Sequence, residues 1–379
     1  MSFRLGESEC IVSIKGDDII IIGFPYTNRK DTGRGIDRYL AVLLEACTDH
    51  GIRPVLIEQG LVRPRLFNFL KNMELAFIKI LKTKGRLYHA IDPLGSIMAF
   101  LCMKKNIVTT IHDTIPLDGK VSMFSWPWFI SMKLVMRISL IISDVLVVPF
   151  ASTKETLVNR FDVPEARVRI VRYGIDLNIK EPKKDSWQSV SEDKALRLLF
   201  MGGGSPIDRG LEMVLNIFDR FSERVPNVSL TIVSKAGTFQ KLNERVISYV
   251  KNGRAEILEF IPENEIQGFI SKFFAFLYPS SLGFSYLVMQ AMSAGVPVIA
   301  SNTRDMRDYL ENAGILCDQY DLECYTKALI ELLRGDVREK VIRNQYSRLM
   351  EFSTDVFFDG IRNVYMDLIS NSTNARRDV

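Results

Sequence analysis

The sequence predicts two doubly wound α/β domains joined by a linker. Three observations carry this. The chain has 379 residues, more than one ordinary core sustains. Short β-branched runs alternate with helix-period segments throughout, and uninterrupted apolar runs are the mark of parallel strands covered on both faces. One stretch breaks the pattern: residues 178–194, NIKEPKKDSWQSVSEDK, are polar, charged and without period, as a linker is. The expected layout is therefore a first domain over 1–177, a linker over 178–194 and a second domain over 195–352.

In chain order, Ile19–Ile22, Val55–Ile57, Ile107–Ile111, Val145–Val148 and Val168–Val171 read as strands of the first sheet. Leu198–Phe200, Ser229–Val233, Ala255–Leu258, Ala275–Leu277 and Val296–Ala300 read as strands of the second. Segment 353–379 reads as a helix, with Val356, Phe357, Ile361, Val364, Tyr365 and Leu368 at helical spacing. Its alternatives are a plain terminal core helix or one that crosses back to the first domain.

Composition narrows the class. Hydrophobic residues make up 47% and charged residues 25%, a globular balance, and the net charge of +4 is too small to argue for nucleic acid. Five scattered cysteines, Cys10, Cys47, Cys102, Cys317 and Cys324, form no C-x-x-C pair and read as free thiols in a reducing compartment. With three histidines and no D-x-D triplet, a metal site is not expected. Asp17-Asp18 precede the first apolar run, which argues against a signal peptide. The apolar stretch Phe129–Pro149 carries Lys133, Arg137 and Asp144, so it does not read as a membrane span. Cytoplasmic residence, at the inner face of a membrane or away from it, is the expectation.

Four segments suit chemistry. Tyr278–Ser301, YPSSLGFSYLVMQAMSAGVPVIAS, reads as strand, loop, helix and strand, its loop at a helix N-terminus. Free backbone N–H groups and the macrodipole favour an anion there. Leu198–Gly210 reads as strand, glycine turn and helix; Gly202, Gly203 and Gly204 let amides crowd an anion, and Arg209 adds a planar cation suited to phosphate. Gly33-Arg34-Gly35 leads into a helix over Ile36–Thr48, a loop that suits either close approach to a ligand or a plain surface turn. His112 follows an apolar strand, where an α/β site opens; it reads equally as structural or functional.

These segments, in this order, closely resemble glycosyltransferase family 4. Tyr278–Ser301 is similar to the family's donor signature, Pro-Ser, Glu, Gly-Phe-Gly, a second Glu, then Ala-Met-x-x-Gly-x-Pro-Val-Ile-Ala-Ser. Leu282 and Gln290 stand where its two glutamates stand. Arg209-Gly210 resembles the family's Lys-Gly, and Gly204 stands where it has an arginine. Thr110-Ile111-His112-Asp113 resembles its Thr-x-His-Asp. The resemblance implies a GT-B fold, two Rossmann-like domains facing a cleft, with 353–379 crossing back to the first. It implies a retaining, metal-independent hexosyltransferase needing no cofactor, with a nucleotide-diphosphate sugar as donor. By this likeness His112 contacts the sugar; Gly33, Gly35, Gly203, Gly204, Arg209, Gly283, Phe284 and Ser285 hold the donor phosphates; Gln290, Phe260 and Ile261 meet ribose and base. The acceptor is a glycan or a lipid-linked molecule. The alternative is a catalytically inactive partner or scaffold subunit.

Two segments concern partners. Leu66–Leu81 has a narrow polar stripe flanked by Arg63, Arg65, Lys84 and Arg86, so residues 63–86 suit peripheral contact with an anionic membrane, or a core helix with a solvated edge. Ser122–Trp128, SMFSWPW, reads as an aromatic loop.

Overall fold

The computed structural model describes residues 18–23, 35–58, 66–114, 117, 126–175, 196–203, 210–234, 244–281 and 283–374. Two compact units emerge: Met1–Gly174 with Asp355–Val379, and Ile175–Thr354. The expected linker, 178–194, lies outside the described residues.

Unit 1 alternates strand and helix: β1 Ile19–Gly23, α1 Gly35–Asp49, β2 Val55–Glu58, α2 Leu66–Lys82, β3 Leu87–Ala90, α3 Pro93–Leu101, β4 Ile107–Thr110, α4 Trp126–Ile142, β5 Val145–Val148, α5 Ala151–Phe161 and β6 Val168–Ile170. All six strands are parallel, in the order β2-β1-β3-β4-β5-β6. The chain runs outward from β1 to β2, then returns to lay β3 on the other side of β1. That reversal opens a crevice at the carboxyl ends of β1 and β3.

Strand β3 was not among the expected strands. Its sequence, Leu-Tyr-His-Ala, carries two polar side chains, yet all four residues are buried. Residues 126–128 of the expected aromatic loop instead open helix α4; residues 122–125 lie outside the described residues. The apolar period running on from Phe129 to Ile142 explains the helical start.

Unit 2 follows the same plan: β7 Leu196–Gly203, α6 Leu211–Ser222, β8 Val228–Ser234, α7 Glu244–Lys251, β9 Ala255–Leu258, α8 Glu263–Ile270, β10 Ala275–Tyr278, α9 Tyr286–Ser293, β11 Val298–Ser301, α10 Arg304–Leu310, β12 Ile315–Cys317, α11 Leu322–Glu331 and α12 Gly335–Leu349. Its parallel order is β12-β11-β10-β7-β8-β9, so the reversal falls between β7 and β10. Residues of β7, β8, β10, α6 and α11 share one buried core. The short edge strand β12 is a second one the sequence reading missed.

The last helix, α13 Thr354–Asn374, belongs mostly to unit 1. Phe357, Phe358, Ile361, Val364, Tyr365 and Ile369 are its buried positions. Two glycines permit the close approach: a Cβ at Gly360 would lie 2.9 Å from Val171, and one at Gly174 would lie 3.0 Å from Phe357.

The cysteine reading needs correction. Cys317 and Cys324 form a disulfide. Cys317 ends β12 and Cys324 lies in the first turn of α11, so the strand-to-helix turn brings their Cα atoms to 5.7 Å. That separation is ordinary for a bridge, and the argument for a reducing compartment falls with it. Cys47 and Cys102 are buried free thiols; burial pushes the Cys47 thiol up to about 12. Cys10 lies outside the described residues. No helix among the described residues is long and apolar enough to cross a membrane.

Candidate functional site

In unit 2 the carboxyl ends of β7 and β10 flank the reversal. Gly202 and Gly203 do not form the expected turn; they complete β7, where its register against β8 shifts between Met201 and Gly203. Gly210 then starts α6 with φ +88, and a Cβ there would lie 2.2 Å from the carbonyl oxygen of Pro279. The start of α6 is thus pressed onto the end of β10, a fit that only glycine allows.

Beyond β10, Ser280 is buried, and Gly283 adopts φ +70. A Cβ on Gly283 would lie 2.5 Å from Oδ2 of Asp305, in the first turn of α10. Ser285 caps α9: its hydroxyl accepts from the Leu287 amide at 3.3 Å. The Phe284 ring packs edge-on against Tyr286 and Tyr309, at 5.4 and 5.0 Å, which fixes the loop to α10. Gly283, Phe284 and Ser285 therefore present backbone at a helix N-terminus, an anion-binding arrangement. Gln290 is buried in α9, while Phe260 and Ile261 follow β9, Phe260 being 72% exposed. Gly204, Arg209 and Leu282 lie outside the described residues, as does Gly33; Gly35 is the first residue of α1.

In unit 1 His112 lies two residues past β4. Its Nε2 is 2.9 Å from the Ile91 carbonyl oxygen and its Nδ1 is 2.9 Å from the Tyr173 hydroxyl. A carbonyl only accepts, so Nε2 carries the proton and Nδ1 accepts from Tyr173. The ring stacks on Tyr173 at 5.9 Å and meets Tyr39 edge-on at 5.0 Å. Burial lowers its pKa to about 4, so the ring is neutral near pH 7.

A buried polar chain lies beside this histidine. Tyr39 Oη is 3.0 Å from Thr110 Oγ1, which is 2.8 Å from His89 Nε2; His89 Nδ1 is 2.6 Å from the Tyr365 hydroxyl of α13. His89 is fully buried, and desolvation, with a smaller effect from His112, lowers its pKa to about 3. The chain joins α1, β4, β3 and α13. The structure brings His112 together with Tyr173, Ile91 and Tyr39 in unit 1, and in unit 2 it brings Gly210 against Pro279 and Gly283 against Asp305. The sequence reading named neither Tyr173 nor the Ile91 carbonyl as a partner of His112. No spacing rule reveals a contact across 61 residues.

Comparisons with known proteins decide the family. The profile described as Glycosyltransferase Family 4 matches residues 33–179, and that described as Glycosyl transferases group 1 matches residues 195–335. The chain belongs to glycosyltransferase family 4.

Among curated relatives, O-antigen chain mannosyltransferase B of Escherichia coli is 28% identical over 87 residues, 23% of each chain. D-inositol 3-phosphate glycosyltransferase of Acidothermus cellulolyticus is 23% identical over 252 residues, 62% of this chain and 55% of the relative. The matched stretches thus span a quarter to about half of those relatives' lengths. A sucrose-phosphate synthase of Thermosynechococcus elongatus superposes with a TM-score of 0.75 at 19% identity, covering 93% of this family 4 chain and 99% of the other. HepE of Anabaena, solved with UDP-glucose, gives 0.69 at 12% identity, covering 92% and 99%. At these identities the superpositions speak to fold: two Rossmann-like units of GT-B type.

Proposed function

We propose that this family 4 chain transfers a sugar from a nucleotide-diphosphate sugar to a glycan or lipid-linked acceptor, with retention of configuration and without a metal ion. The observation that carries the reading is what stands at the β7/β10 reversal: Gly210 pressed against Pro279, and Gly283–Ser285 at a helix N-terminus. An anion suits that place for two reasons, the positive end of the helix and the switch-point crevice. HepE was solved with UDP-glucose, and TarM of S. aureus with UDP and alpha-GlcNAc-glycerol, on related folds.

In this reading Arg209 and the backbone around Gly203, Gly204, Gly283, Phe284 and Ser285 neutralise the leaving diphosphate. That electrostatic contribution is the main source of rate. Gln290 takes the ribose, the backbone and side chains of Phe260 and Ile261 meet the base, and Gly33 to Gly35 close over the sugar. His112 contacts the sugar as a neutral hydrogen-bonding group. With its pKa lowered to about 4 it is no cationic acid at neutral pH, and to bond a hydroxyl it exchanges its contact with Ile91 or Tyr173. Leu282 supplies no carboxylate, so the transition state is held by the diphosphate contacts and His112. A second reading, a non-catalytic partner subunit, rests on that leucine.

The test is a transfer and donor-hydrolysis assay across nucleotide sugars, in EDTA. His112→Ala is expected to lower the rate at least about 100-fold, or ~2.7 kcal/mol, with nucleotide binding largely kept. Binding without turnover of any donor, unaffected by His112→Ala, would favour the partner subunit.

A further inference from the structure

One face of unit 1 is built unlike the rest of the described surface. The chain steps from β2 across β1 to β3, then on to β4 and β5, always in one direction. Right-handed crossovers then place α2, α3 and α4 on the same face of the sheet. The packing agrees: α3 touches both α2 and α4.

The outer surface of this layer is apolar. Eighteen large hydrophobic side chains are exposed in the described residues, and half of them lie here, three each on α2, at the end of α3 and on α4. Ile78 and Leu81 lie one turn apart on α2; Leu134 and Ile141, two turns apart, lie on one side of α4. Met103, just past α3, is 88% exposed and held at φ 57, a conformation unusual for a non-glycine residue. Lys104 fixes this corner to α2, its ammonium donating to the carbonyls of Leu81 and Thr83 at 3.2 and 2.8 Å. Exposed hydrophobics are ordinary when scattered, and signal a contact surface when gathered.

The charge on the layer is one-sided. Lys79, Lys82, Lys105, Lys133 and Arg137 make no ion pair among the described residues. Glu74 is the one acid in the three helices, and α4 has none. A second copy meeting this face symmetrically would set cation against cation. An anionic lipid surface complements both properties at once, taking the apolar side chains into the acyl boundary and the cations at its headgroups.

We infer that the α2–α3–α4 face docks on an anionic bilayer. The face extends beyond residues 63–86 to α3 and α4; Arg63 and Arg65 lie outside the described residues. This deepens the proposed function by naming where a lipid-linked acceptor is met, and it is tested without any donor or acceptor.

The experiment is co-sedimentation of the full chain with phosphatidylcholine vesicles, with and without phosphatidylglycerol, alongside sedimentation velocity in free solution. Binding is expected only to the anionic vesicles, and about 0.5 M salt should weaken it, since screening shortens the reach of each charge. Met103→Glu with Leu134→Glu should lower vesicle affinity at least tenfold while leaving circular dichroism and nucleotide-sugar binding unchanged. Lys105→Gln with Arg137→Gln, which touch no core, should lower it as well. Three results would overturn the inference: no vesicle binding, equal binding to neutral vesicles, or a dimer in free solution that the glutamate pair dissociates. The last would give the face to a second copy. Failure to bind any nucleotide sugar would count against the proposed chemistry alone.

Discussion

His89 sits in the middle of a parallel sheet, fully buried, with a tyrosine on one nitrogen and a threonine on the other. Such a group is tolerated only because both its polar atoms are satisfied. Tyr365→Phe removes one partner and leaves Nδ1 buried without a bond, at a cost of about 1–3 kcal/mol. Urea denaturation should show the loss with an unchanged slope. His89 and His112 also set a pH dependence. Unfolded histidines take up protons near 6.5, whereas these titrate near 3 and 4 when folded. Between those values the unfolded chain binds more protons, so stability is full above pH 6.5 and falls as the pH drops toward 4 and then 3. The slope reaches about 1.4 kcal/mol per pH unit for each histidine. Thermal melts in pH 7 and pH 5 buffers should differ accordingly, and the difference should shrink in His89→Gln.

At the scale of elements, contact between neighbouring loops decides more than any one helix. Gly210→Ala places a methyl 2.2 Å from the Pro279 carbonyl oxygen, at a φ of +88 that disfavours any side chain. The strained backbone alone costs about 1–2 kcal/mol, and α6 must also move away from β10. Nucleotide-sugar binding should fall with stability in that variant, while Gly253→Ala, which meets nothing within 4 Å at a φ of +68, should lose stability alone. The disulfide is a second test. Cys317 and Cys324 are seven residues apart, and opening so short a loop costs roughly 2–3 kcal/mol by the chain-entropy account. Adding a reductant should lower the melting temperature, and Cys317→Ser should remove that response. Both features show what the sequence concealed. The apolar runs of β1, β5 and β11 were legible because strands covered on both faces carry no polar alternation. Strand β3 was hidden by Tyr88 and His89: the Tyr88 hydroxyl donates to the nearby Thr83 carbonyl, while His89 finds its tyrosine partner 276 residues on. The cysteine pair was hidden because its proximity comes from a strand-to-helix turn, not from a recognised spacing.

At the scale of the whole molecule, the doubly wound plan of both halves was legible from periodicity, and the family from the order of its motifs. Less of the candidate site was. No residue pattern reveals that His112 is already bonded at both nitrogens or that the Phe284 ring is packed against Tyr286 and Tyr309. The sequence did indicate the two strands, read as Leu198–Phe200 and Ala275–Leu277, that flank the reversal in unit 2; β7 runs on to Gly203 where a turn was expected. The central claim is that a nucleotide diphosphate binds there, held by amides and Arg209 without a metal. Its most direct test is calorimetric titration of nucleotide-diphosphate sugars into the wild-type chain and Arg209→Ala, with EDTA present. The account predicts that at least one donor binds the wild type in EDTA, and that Arg209→Ala weakens it at least about tenfold, or ~1.4 kcal/mol. Strict dependence on added metal, or equal affinity in the two proteins, would contradict it.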